Sequence, residues 1–62
     1  MRRILRWDDV VWRSGLSKST LYRMEKEGSF PRRVRLSQRT SGIFEDEFEA
    51  WQEALERVEL AD

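Results

Sequence analysis

A chain of 62 residues with neither cysteine nor histidine makes one domain held by packing alone, which excludes disulfides, Cys/His metal centres, thiol nucleophiles and a histidine general base. The formal net charge is zero, yet residues 1–39 carry eleven Lys/Arg against four Asp/Glu, a balance of +7, while residues 40–62 carry one Arg against eight acids, a balance of −7. Such a division is either the solvation of two faces or an electrostatic binding surface with an acidic element held away from it.

At the N-terminus, "MRRILRWDD" lacks the hydrophobic region of a signal peptide, and no apolar run approaches the roughly 18 residues of a membrane span. A bacterial-type cytoplasmic, nucleoid-associated protein with no membrane partner is the expectation. Trp7, Val10, Val11 and Ser14 fall at i, i+3, i+4 and i+7 behind the acidic start Asp8-Asp9, which predicts a first helix over about residues 8–14. "SGLS" interrupts it: Gly15 can take a positive φ, Leu16 can point inward, and Ser17 is a good N-cap for a second helix over about residues 18–27. Ser17 with Thr20 makes only half of a capping box, since the N3 residue is not Glu. On this second helix Leu21 and Met24 share the inner face with Ser17 and Gly28. Ser19, Tyr22, Arg23 and Lys26 lie mainly on the other.

Gly28 closes the second helix, and Pro31 blocks immediate re-entry because it lacks an N–H and restricts Phe30 to extended geometry. Arg33 and Arg35 then alternate with Val34 and Leu36, and "SQRTSG" supplies turn residues before Ile43-Phe44. This predicts a β-hairpin over about residues 33–44 with Gln38 and Arg39 near its tip. Phe48, Trp51, Leu55 and Val58 follow at helical spacing behind the acidic "EDE", which predicts a third helix over about residues 46–58 with Phe48, Trp51 and Leu55 in the core. Trp12 sits off the first stripe and either covers the hairpin or forms an exposed anchor. The carboxylates spread around the third helix read as a solvated face, not as a catalytic pair.

Helix, glycine turn, helix, basic hairpin and packing helix describe a mostly α winged helix-turn-helix domain. "GLSKSTLYRMEKEGSFPRRVRL" followed by "SGIFEDEFEAW" resembles the AlpA family of prophage-type regulators, small proteins allied to excisionases and MerR-like DNA-binding domains. The resemblance is carried by Gly15-Leu16-Ser17, Ser19-Thr20-Leu21-Tyr22-Arg23, Gly28, Phe30-Pro31, and Glu47 with Trp51. It implies sequence-specific DNA binding without cofactor, used to regulate transcription or to direct excision of an integrated element. One departure is Phe44, where the family often has Trp; it is read here as a core swap.

In such a module the second helix enters the major groove. Lys18, Ser19, Tyr22 and Arg23 are the base-proximal candidates; Arg23 either bridges guanine O6/N7 bidentately or clamps a phosphate. The hydroxyls of Thr20 and Tyr22, with the free N–H groups of the helix start, suit phosphate oxygens, although Tyr22 can equally be half-buried packing with its hydroxyl at the rim. Lys26 is a phosphate contact. Arg33, Arg35 and Arg39 would straddle the backbone, with Arg39 near enough to the tip to probe the minor groove.

The expected partners are double-stranded DNA, further copies of the chain on repeated sites, and an integrase or RNA polymerase. The function expected first is transcriptional regulation; the alternatives are an excisionase that bends DNA with an integrase, and a protein-interaction adaptor with a basic surface. Six acids between residues 45 and 56 either keep the third helix off DNA or meet Arg2, Arg3, Arg6 or Arg13 of a neighbouring copy, the second being preferred on sequence.

Overall fold

Ile4 and Leu5 directly precede the first helical stripe, and the chain uses them as a strand before it coils. In the computed structural model, which describes residues 1–60, β1 (Ile4–Arg6) runs straight into α1 (Trp7–Ser14). Next come α2 (Lys18–Glu27), β2 (Val34–Ser37), β3 (Thr40–Phe44) and α3 (Glu45–Glu53). The three strands form one antiparallel sheet in the order β1-β3-β2. Leu5 is registered with Ile43, and Val34 with Gly42.

The helix boundaries follow local chemistry. Ser17 Oγ accepts the Thr20 N–H and so caps α2, while Gly15 and Gly28 close α1 and α2 in the left-handed region at φ 75° and 85°. The Glu45 N–H donates to the Arg3 carbonyl at 2.8 Å, which ties the start of α3 to the chain entering β1.

Leu5, Trp7, Val10, Leu21, Phe30, Ile43 and Phe48 are the buried core, with Val11, Leu16, Met24 and Trp51 packed against it. Phe30 is its hub. Its ring meets Trp7, Phe48 and Trp51 edge-on at centroid distances of 6.3, 6.4 and 4.8 Å, the edge-to-face arrangement that aromatic quadrupoles favour. The "Phe-Pro" step thus delivers an aromatic anchor between the two halves of the domain.

Three expectations need correction and one alternative is decided. The third helix ends at Glu53, not near residue 58: the Ala54 N–H bonds Ala50 O and the Leu55 N–H bonds Gln52 O, closing the last turn. Leu55 and Val58 are therefore not core but 56% and 90% exposed. Beyond Glu53 they find no surface to cover, and extension of a helix without packing gains little. Phe44 is half-buried outside the core, its ring under the Arg2 guanidinium at 3.6 Å. Leu36 is exposed because the β2–β3 pairing shifts register between Arg35 and Ser37, which breaks the two-residue alternation. Trp12 is exposed on α1 and does not cover the hairpin.

The Cα radius of gyration is 12.9 Å, above the roughly 11 Å of a compact chain this long, as expected with the segment after α3 lying outside the packed body. Among the described residues no helix is long and apolar enough to cross a membrane.

Candidate nucleic-acid interface

The start of α2 is built by its cap. Ser17 Oγ accepts the Thr20 N–H at 3.2 Å and donates to Thr20 Oγ1 at 2.9 Å, with Ser19 Oγ at 3.3 Å. Thr20 is half-buried beside the cap, where its hydroxyl accepts from Ser17 and keeps its own O–H to donate. The N–H groups of Lys18 and Ser19 have no acceptor among the described residues, and at the positive end of a helix such groups attract anions. Lys18 reaches outward, 3.4 Å from Asp8 of α1.

One turn on, Tyr22 is neither free nor buried. Its ring stacks on Trp7 at 5.4 Å with an interplanar angle of 20°, and Arg33 lies over it, Cζ 4.6 Å from the centroid. The ring is thus packed, yet 41% of the residue remains exposed. Arg33 is held from the other side by Glu25, whose Oε2 accepts the Arg33 backbone N–H at 2.7 Å and its Nε–H at 3.1 Å. Burial pushes the Glu25 carboxyl up, but the two hydrogen bonds and the charges of Arg33 and Arg32 outweigh it, so its pKa lies below the usual carboxylate value. Arg23 and Lys26 project from α2; Arg23 pairs with Glu27 one turn away at 3.3 Å.

On the wing, Arg35 Nη1 donates to the Gln38 carbonyl at 3.1 Å, which ties the side chain back to the turn, and Arg39 occupies the turn itself. Two open grooves join wing and helix. Lys18 and Tyr22 of α2 border one of about 360 Å³ with Arg39, Thr40, Ser41 and Arg6. Glu25 borders the other, of about 370 Å³, with Arg32, Arg33, Arg35 and Arg39.

The structure thus brings Lys18, Tyr22, Arg33, Arg35 and Arg39 to one helix–wing surface. Lys26 flanks it beside Arg32 and Arg33; Ser19, Thr20 and Arg23 lie on α2 but border neither groove. Arg6 and Arg32 were missed as site residues, and the available signal was their place in basic runs that flank Trp7 and Pro31. Glu25 was missed because an acid on a basic helix carries no periodic signature.

The three acids at the start of α3 are paired within the chain. Arg2 forms a paired contact with Asp46, Nε to Oδ2 at 2.9 Å and Nη2 to Oδ1 at 2.8 Å, and reaches Glu47 at 3.3 Å. Arg13 reaches Glu45 at 3.4 Å. The hydrogen bond from Arg2 holds the Asp46 carboxyl below its usual range, and the same partners raise the Arg2 pKa. Arg2 and Arg13 are thus paired within the chain, while close to half of each side chain stays exposed. Among the described residues no group of three or more acids, His or Cys is placed to hold a metal ion.

Two helices joined by a glycine turn, a hairpin standing beside the second of them and a third helix closing the core define a winged helix-turn-helix domain. Residues 3–58 match the family described as "Prophage CP4-57 regulatory protein (AlpA)", so the chain belongs to the AlpA family of prophage regulatory, DNA-binding proteins. No curated protein and no solved structure matches the chain.

Proposed function

We propose that the chain binds duplex DNA sequence-specifically and regulates transcription of a prophage-type element. Helix α2 would lie in the major groove and the β2–β3 wing over the adjoining backbone. The observation that carries this reading is the shared surface of α2 and wing, where Arg39, Arg6 and Tyr22 border one open groove with Lys18 and its partner Asp8. Two elements of independent sequence origin present positive charge to the same space, which is how a module reads base edges with a helix and fixes its register on phosphates. A module of this size covers about 600 to 1,000 Å² of protein surface on DNA, so several copies or a second protein would share a site.

The test is a titration of duplex DNA at increasing salt. If four to six phosphates are neutralised per copy, log K should fall against log salt with a slope of about −4 to −5. A slope near zero would reject the electrostatic surface.

A further inference from the structure

Glu25 is out of place by charge. It is an acid on the helix that faces DNA in the reading above, its side chain is only 14% exposed, and repulsion from phosphates should make it a hindrance. Its geometry says otherwise. A single oxygen, Oε2, takes both the backbone N–H and the Nε–H of Arg33, which fixes the side chain at its root and at the inner edge of its guanidinium.

The guanidinium carbon lies over the Tyr22 ring at 4.6 Å and over the Trp7 ring at 5.3 Å, two rings already stacked on each other. Among the described residues neither Nη group of Arg33 donates a hydrogen bond. The cation is therefore held at its Nε and against the two rings, while its Nη groups keep four N–H donors, two of them on the outer edge. That edge matches two oxygens of one phosphate. Arg35 lacks such a hold on its Nε, and its Nη1 is already turned back to Gln38.

We infer that Glu25 is a positioning residue for DNA binding, holding Arg33 on the Trp7–Tyr22 stack as a preset bidentate phosphate clamp. This rests on the DNA-binding reading above and makes Tyr22 the platform of the clamp. A free arginine loses rotamer freedom when it binds; one already fixed loses less, so the acid returns more affinity through order than it removes through repulsion.

The two effects have opposite signs, which makes the inference testable. Binding of a short fluorescein-labelled duplex of mixed sequence is measured at fixed salt for the full chain, Glu25→Gln, Arg33→Ala, the double variant and Arg33→Lys, with circular dichroism to verify folding. Mixed sequence suffices because a phosphate contact is sequence-independent. Arg33→Ala should weaken binding about tenfold and lower the salt slope by about one. Glu25→Gln should weaken it about three- to tenfold although it removes a negative charge, and in the Arg33→Ala background it should have no effect or tighten binding.

Tighter or unchanged binding by Glu25→Gln would overturn the positioning role while leaving DNA binding intact. Arg33→Lys keeps the charge on an exposed side chain but lacks the planar fork, so it should bind nearly as weakly as Arg33→Ala. Wild-type affinity in Arg33→Lys would overturn the clamp even if Glu25→Gln failed to fold. No binding by the wild type at low salt would overturn the DNA-binding reading and the clamp with it.

Discussion

Arg23 and Arg35 look alike in sequence, yet the structure gives them different surroundings. Arg23 stands on the exposed face of α2 with a single partner, Glu27, one turn away, a pair that DNA can displace at little cost because exposed i,i+4 pairs contribute only about 0.3 to 0.5 kcal/mol. Arg35 is tied to the wing turn. Replacing Arg23 by Ala should cost about 1 to 3 kcal/mol on a cognate site and less on mixed-sequence DNA, whereas Arg35→Ala should weaken both alike. Equal losses in parallel titrations would remove Arg23 from the base-reading set. Trp51 makes the stability counterpart. Its ring packs on Phe30 at 4.8 Å and its Nε1–H donates to the Ser29 carbonyl at 3.1 Å, which fastens α3 to the loop after α2. Trp51→Phe, which keeps most of the ring, should cost about 1 kcal/mol, and Trp51→Ala about 3 kcal/mol. At about 4 to 8 °C per kcal/mol for a domain this small, thermal melts resolve the two.

At the scale of elements, the caps, the glycine turn and the hairpin were legible because each has a local chemical cause: Ser17 accepts an N–H, Gly28 takes a positive φ, and Gln38-Arg39 form the turn. What escaped was set by neighbours distant in sequence. Three residues are too few to show an alternation, so β1 becomes a strand only because β3 offers it a pairing edge. The Leu55/Val58 spacing is truly helical, but periodicity names a face without saying whether anything lies opposite, and nothing does. The site divides the same way: the basic residues of α2 and the wing could be read, while Glu25, eight positions from Arg33, acquires its meaning only when the chain turns back at Pro31. Removing residues 56–62 should change stability by less than about 0.5 kcal/mol, which a thermal melt checks, since the described part of this segment buries no core side chain. Gly42 should be intolerant by contrast. A Cβ there would press on the Leu5 carbonyl and lie 3.0 Å from Ile4 Cγ2, so Gly42→Ala should cost about 1 to 3 kcal/mol by forcing β1 from β3.

For the molecule as a whole, the opposed charges of its two halves bear on stability and, on the proposed reading, on docking. Glu25 and Asp46 have folded-state pKa values below the ordinary carboxylate value, so each contributes stability that is present above the unfolded pKa and lost as pH falls through the folded one. Melting temperature should therefore decline as pH drops below about 4. A decline absent between about pH 4 and pH 2 would mean that these contacts do not persist in solution. The acids of α3 bear on docking. Those of the first turn are paired with Arg2 and Arg13 of the same chain, two of the four arginines any of which could instead meet a neighbouring copy. Glu49 and Glu53 have no such partner among the described residues. Both are exposed on a helix that borders neither groove of the helix–wing surface. On the proposed reading these two acids would repel DNA from this face and so favour docking through α2 and the wing. Glu49→Lys with Glu53→Lys should then raise affinity for mixed-sequence DNA and narrow the gap between cognate and random sites, while the filling of adjacent sites in a two-site footprinting titration stays as cooperative as before. Loss of cooperativity without a gain in non-specific affinity would instead place these two acids in a contact between copies.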